Sequence, residues 1–285
     1  MAQGTNSISL PVRIGICAPS TPLPREAADR VLALAALTHP QAELIFDPQC
    51  FLEEGHFAGS DRQRTDSFVA LANDPSLDAI WFARGGYGAA RIAEAAVEQL
   101  DGSAKSKIYL GYSDAGNLLG ALYRAGFDRV AHGPMASDIG RTSGDRAVRR
   151  ALDWIVHEKS DALEPGLERG RKYAAFNVMT LTMMTGTRLI PDLRDHILII
   201  EEISEYLYGL DRAMFHLCSN LAEHGLNGIR LGNVSDIPEN DRPFGEDPEA
   251  ITRRWCQSND IAYLGRSEIG HDVENRIVPF GLLKP

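Results

Sequence analysis

Short apolar runs alternate with longer amphipathic stretches along the first half of the chain. Val12–Cys17, Glu43–Phe46, Ala79–Phe82 and Lys107–Leu110 each read as a strand. Residues 25–37, 62–72, 89–100 and 114–126 carry helical spacing, the last ending at Gly126, and Asp145 to His157 forms a further helix. Strands alternating with helices predict a parallel sheet covered on both faces. Ligands on such sheets bind outside the carboxyl ends of the strands.

The pattern then breaks. The stretch EKSDALEPGLERGRK is charged and punctuated by Pro165, Gly166 and Gly170, as an inter-domain linker would be. Beyond it Ile197–Ile200 is a strongly apolar strand, Leu210 to His224 a helix stopped by Gly225, and Gly228 to Gly232 a short strand. Pro248 to Gln257 reads as helical, and the tail mixes short strands with Gly and Pro. The expected class is therefore α/β: an N-terminal parallel-sheet domain (1–157), a linker (158–170) and a smaller C-terminal α/β domain (171–285). No internal repeat or low-complexity tract interrupts this.

Length and composition agree with a two-domain globular protein: 285 residues, 44% hydrophobic and 24% charged. A formal net charge of −10 argues against general nucleic-acid binding, which needs a basic face. The four cysteines (Cys17, Cys50, Cys218, Cys256) are scattered, so neither a disulfide framework nor a metal site is expected. The N-terminus lacks the basic start and apolar core of a secretory signal, and no apolar run approaches a membrane span. The expected location is the cytoplasm.

Chemistry concentrates at Gly111-Tyr112-Ser113-Asp114-Ala115, between a strand and a helix. A serine on such a turn is held strained and exposed, as in the nucleophile elbow G-x-S-x-G, although Ala115 stands where glycine closes that motif. A helix N-cap is the competing reading. A nucleophilic serine needs a base, and the base an orienting acid. Among eight histidines, His39, His157 and His224 sit at helix ends or in polar surroundings, and His56, His196 and His216 carry no motif. His132 follows a strand of the Ser113 domain and could either line the cleft or serve structure. His271 lies in a loop between short apolar segments.

Glu201 directly follows the apolar strand Ile197–Ile200, where a carboxylate needs a partner or water. Glu202 points to the opposite face because side chains alternate along a strand. Arg84-Gly85-Gly86-Tyr87-Gly88 opens a helix after a strand, and its backbone N–H groups could face an oxyanion or a phosphate. The dinucleotide fingerprint is incomplete there, and no Walker-type loop occurs.

Taken together these segments resemble the LD-carboxypeptidases, serine peptidases of the S66 type, over nearly the whole chain. The resemblance is carried by Gly15-Ile16-Cys17-Ala18-Pro19-Ser20, Arg84–Gly88, Gly111–Asp114, His132-Gly133-Pro134, Gly186-Thr187, Ile199–Glu202, Leu210-Asp211-Arg212 and Gly270-His271, in family order. It implies a Ser113–Glu201–His271 triad, Gly86 and Asp114 N–H groups as oxyanion hole, and a site at the domain interface. It places Arg84, Gly85, Tyr87 and His132 around the substrate. It also implies a cofactor-free enzyme, without metal, nucleic acid or membrane, acting as a homodimer on a cytosolic murein tetrapeptide in peptidoglycan recycling. Cleavage would fall between the L-centre of a meso-diamino acid and terminal D-Ala. Gly116, Phe176 and Asp272 depart from the family pattern in loops expected to shape the pocket. Two other functions fit the same residues: hydrolysis of aminoacyl-nucleotides, as by the related microcin C immunity hydrolases, and peptide or sugar binding without cleavage.

Overall fold

Two mostly parallel sheets, each backed by helices, meet along one seam. The computed structural model describes residues 10–284. Residues 1–9, the first part of the stretch on which the reading of no secretory signal rests, lie outside the described residues.

The first sheet is built by β1 (Val12–Cys17), α1 (Arg25–Thr38), β2 (Ala42–Phe46), α2 (Asp61–Asn73), β3 (Ala79–Phe82), α3 (Ala89–Val97), β4 (Ile108–Gly111), α4 (Gly116–Arg124), β5 (Val130–His132) and α5 (Gly144–His157). Its five parallel strands run in the order β2-β1-β3-β4-β5. Every residue of β3 and β4 is buried, as expected of strands covered on both sides. Side-chain alternation divides them: Ile14, Ile16, Trp81 and Leu110 pack in one cluster with Val31 of α1 and Val148 of α5. Ile80, Phe82 and Tyr109 pack in the other with Phe68, Ile92 and Leu118 of α2–α4. The strand order reverses between β1 and β3, and the crevice beyond their carboxyl ends is where such sheets hold ligands.

The second sheet comprises β6 (Lys172–Asn177), α6 (Val178–Met184), β7 (His196–Ile203), α7 (Leu207–Leu221), β8 (Gly228–Ser235), α8 (Pro248–Ser258) and β9 (Tyr263–Arg266), with β6 to β9 parallel. Its core is continuous with the α2–α4 side of the first, through Tyr173, Phe176, Leu181, Ile199 and Met214. The tail then laces the two together. β10 (Val278–Pro279) adds antiparallel to β5, and β11 (Gly281–Leu282) adds antiparallel to β6. Phe280 between them is buried against Phe176 and Tyr123, ring centroids 5.1 and 5.6 Å away.

Several elements differ from the sequence reading. The helix expected from Asp114 starts with a tight turn, Ser113–Ala115, and becomes α-helical at Gly116. β7 continues through Glu201 and Glu202, both buried, instead of ending at Ile200. β6 and α6 were not apparent in the pattern. Within 158–170, Glu164 is buried and receives both Nη groups of Arg230 at 2.8 and 3.0 Å, so this charged stretch is anchored to β8. Among the described residues no helix is long and apolar enough to cross a membrane.

Candidate active site

β4 delivers its last buried residue, Gly111, and the chain turns sharply. Tyr112 remains extended, whereas Ser113 adopts φ 58°, the left-handed region that costs a side-chain-bearing residue roughly 1–3 kcal/mol. The surroundings hold it there. The buried Tyr112 hydroxyl donates to Asp138 Oδ1 at 2.8 Å. The Asp114 carboxylate accepts from Ser20 Oγ (2.5 Å), Ala89 N (2.8 Å) and Asn117 Nδ2 (3.1 Å), tying the elbow to the loop after β1 and the start of α3. Burial raises the Asp114 pKa against the pull of these bonds. Ala115, the residue that leaves the elbow motif incomplete, has φ −60° and is buried. A right-handed helical position needs a small residue there but not glycine.

His271 enters from the loop between β9 and β10. Its ring lies 4.7 Å from that of Tyr112, beside the elbow. Nδ1 is 2.7 Å from Glu201 Oε2, a carboxylate with no exposed surface. Burial alone pushes the His271 pKa down. The Glu201 charge and hydrogen bond outweigh it, and the imidazole ends above its ordinary value. Glu202, on the other face of β7, has a different task. It accepts from Asn177 Nδ2 (2.7 Å), Met179 N (2.8 Å) and Ile203 N (2.9 Å), and so closes the start of α6.

The glycine loop lies against the serine. A Cβ on Gly85 would stand 3.0 Å from both Ser113 Cβ and Oγ. Gly86 has φ 106°, with Thr21 occupying the space a side chain would need. Arg84 and Tyr87 are exposed, and Arg84 Nη1 donates to Pro22 O at 2.9 Å. His132 is 1% exposed, its ring 5.5 Å from that of Tyr112, and neither ring nitrogen has a partner among the described residues. Burial lowers its pKa to about 4. It therefore stands behind the site as a neutral core residue, not on an open cleft wall. His39, read from sequence as capping or solvated, is a buried cap bonded to Asp153 at 3.1 Å.

The three departures from the family pattern also find their places. Gly116 and Phe176 are buried together at the seam, where a Cβ on Gly116 would lie 3.4 Å from Phe176 Cδ1 and 3.3 Å from Thr180 Cγ2. The small residue makes room for the large one, so these two shape domain packing and not an open pocket. Asp272 accepts from Asn233 Nδ2 (2.7 Å) and Glu274 N (2.8 Å) within the His271 loop. Sequence reasoning missed Asp138, which braces Tyr112, and Thr180, whose hydroxyl donates to Ser113 O at 3.4 Å. No local signal marks either, because their partners are distant in the chain. Among the described residues no cluster of three or more His, Cys, Asp or Glu could hold a metal ion.

The fold and site together define an α/β protein with a strand-end serine turn whose Tyr112 ring lies 4.7 Å from the imidazole of a histidine–carboxylate pair. Residues 14–133 match the LD-carboxypeptidase N-terminal domain, and residues 173–283 match the LD-carboxypeptidase C-terminal domain. The chain belongs to the LD-carboxypeptidase family of peptidases. It is 27% identical over 243 residues to the murein tetrapeptide carboxypeptidase of Pseudomonas aeruginosa, covering 79% of this chain and 78% of that one. In fold it is similar to the muramoyltetrapeptide carboxypeptidase from Oxalobacter formigenes (TM-score 0.77, 23% identity, 95% and 93% of the two chains). It is likewise similar to the microcin C7 self-immunity protein MccF in complex with aspartyl sulfamoyl adenosine (TM-score 0.79, 18% identity, 96% and 92%).

Proposed function

We propose that the protein is a serine-type LD-carboxypeptidase that releases terminal D-Ala from murein tetrapeptide. The observation that carries this reading is the strained Ser113 elbow beside His271, whose Nδ1 is bonded at 2.7 Å to the buried Glu201. That bond fixes the proton on Nδ1 and leaves Nε2 as the basic nitrogen. His271 Nε2 takes the Ser113 proton as Oγ attacks the carbonyl before D-Ala. Glu201 supports the imidazolium so formed. Gly86 and Asp114 N–H groups receive the oxyanion; among the described residues neither donates to a backbone carbonyl outside the regular elements. Collapse of the tetrahedral intermediate expels the D-Ala amine with the proton from His271. Water, activated by the same base, then frees the acyl group.

The chemistry calls for no cofactor. Four buried, unpaired cysteines fit a reducing compartment, and we place the enzyme in the cytoplasm as a homodimer acting in peptidoglycan recycling. Incubation with purified murein tetrapeptide should release D-Ala, and Ser113→Ala should abolish release while the fold persists. D-Ala release unchanged by Ser113→Ala would sink the assignment.

A second substrate class keeps the same machinery. Tyr206 and Tyr208, just beyond β7, are exposed and stacked 5.0 Å apart at 13°, with the Arg212 guanidinium 5.1 Å from the Tyr208 ring centroid, a group of planar side chains of the kind that stacks with nucleobases. An aminoacyl-sulfamoyl adenosine offered beside the tetrapeptide separates the two. Preferential cleavage of the nucleotide conjugate would favour this second reading.

A further inference from the structure

His271 takes its bearings from two domains at once. On its own side Asn233 of β8 donates its amide N–H to Ile269 O at 2.7 Å and its side-chain NH2 to Asp272 Oδ2 at 2.7 Å. Those bonds reference the loop to the sheet that carries Glu201. They say nothing of where the loop stands relative to Ser113, which belongs to the other sheet.

Beside the pairing of β10 with β5 just after the loop, a second reference comes from Arg150 on α5, in the nucleophile's domain. Its side chain is 10% exposed and crosses the seam to the base-bearing loop. Nη1 donates to two carbonyls, Val273 O and Asn275 O, both at 2.8 Å. Nη2 faces Glu274 at 3.5 Å, and Arg146, one turn earlier, pairs with the same carboxylate at 2.6 Å. The held segment is a tight turn: Glu274 N donates to Asp272 Oδ1 at 2.8 Å and Asn275 N to Asp272 O at 3.3 Å. Asn275, buried, then reaches back to accept from Gly270 N at 3.2 Å. Arg150 thus grips a closed ring of residues 270–275 in which His271 is the second member.

We propose that Arg150 is a positioning residue, which sets the distance and angle of the His271 ring relative to Ser113 through the 270–275 turn. A guanidinium suits the task. One planar nitrogen serves two carbonyls while its neighbour faces Glu274, whereas a lysine ammonium, on a single flexible point, would not reproduce that fork. Its role is separate from that of Arg146, whose guanidinium pairs with the Glu274 carboxylate.

This inference rests on His271 acting as the base, so its test has an arm independent of turnover. Arg150→Ala, Arg150→Lys and Arg146→Ala are compared with wild type for kcat and KM in D-Ala release. The rate of Ser113 labelling by a fluorophosphonate and the His271 imidazole signals in 15N-histidine NMR spectra are followed in parallel. Both Arg150 variants should lose on the order of tenfold to a hundredfold in kcat, the scale on which roughly 1 Å of misplacement acts, with little change in KM. Ethylguanidinium should restore part of the Arg150→Ala loss, and Arg146→Ala should stay near wild type. The His271 signals should shift in the Arg150 variants and not in Arg146→Ala. If Arg150→Ala fails to fold, Arg150→Lys, which keeps the charge, carries the test. Unchanged kcat and labelling in the Arg150 variants, or losses that only follow the unfolded fraction, would overturn the role. A wild-type protein that neither releases D-Ala nor labels would overturn the proposed function instead, and the NMR comparison would still decide whether Arg150 places His271.

Discussion

Replacing Glu201 by Gln changes one oxygen to NH2 and removes a charge without changing the size of the side chain. Two placements of the amide are open. With its oxygen toward His271 Nδ1, the imidazole keeps its tautomer, and the loss is that of a charge-assisted hydrogen bond, roughly 1–1.5 kcal/mol or about tenfold. That placement turns the NH2 toward the site of Glu201 Oε1, which is buried and has no partner among the described residues. An unsatisfied buried donor there costs about 1–3 kcal/mol. The opposite placement is therefore favoured, with NH2 donating to Nδ1 and the His271 proton forced onto Nε2. A base protonated on the nitrogen facing the serine cannot accept its proton, and the penalty for that swap in a serine triad is about four orders of magnitude, some 5.5 kcal/mol. We expect kcat for D-Ala release to fall by roughly a thousandfold to ten-thousandfold. The pH profile adds a second readout. With His271 as the proposed base, activity needs its neutral form, so the acid limb follows its raised pKa. With the carboxylate charge gone, burial acts unopposed and the limb should move to lower pH. D-Ala release followed from pH 5 to 9, with Glu202→Gln in parallel, checks both. Glu202→Gln should weaken the start of α6, by about 1 kcal/mol, and leave kcat nearly intact. A Glu201→Gln enzyme within tenfold of wild type, or a Glu202→Gln enzyme more impaired than it, would refute the reasoning.

Ser113→Gly should be inactive yet more stable than Ser113→Ala, by about 1 kcal/mol in urea unfolding, because only glycine tolerates φ 58° without strain. His132, buried with its pKa lowered to about 4, makes folding linked to proton release. Its contribution is complete above the unfolded value near 6.5 and is lost as pH falls toward 4, reaching about 3 kcal/mol. His132→Phe should flatten that part of the stability–pH curve; an unchanged slope in calorimetry would count against the burial argument. Gly116→Thr should cost about 1–3 kcal/mol by crowding Phe176 and Thr180, and pairing it with Phe176→Ala should recover part of the loss in a double-mutant cycle.

The first domain was readable because its strands obey one rule: a short apolar run, a turn, then a helix. β6 escaped because its sequence, KYAAFN, lacks β-branched residues, and α6 because VMTLTMM is rich in them. Two adjacent acids read as the end of β7, since nothing local reveals that Asn177 and His271 wait to receive them. The charged stretch before β6 misled in the same way, its Glu164 being matched by an arginine 66 residues away. Ser113 was visible from its turn, whereas the pairing of His271 with Glu201 came only from family likeness, because a contact across 70 residues leaves no local trace. Arg150 shows this limit most clearly: within α5 it is one arginine among several, and only the fold gives it its carbonyls.

The lacing tail gives the enzyme a schedule. Ser113, the glycine loop and the Asp114 brace all precede the proposed base in chain order, and the strands that close the two sheet edges come later still. His271 follows Ser113 by roughly 160 residues, about 10–30 s of synthesis at ordinary elongation rates. During the first part of that interval the elbow has neither the proposed base nor the proposed acid; Glu201 arrives with β7, and the elbow then waits for His271 while β10 and β11 are still missing from the sheet edges. A chain that stops short of His271 thus carries the Ser113 elbow without its proposed base.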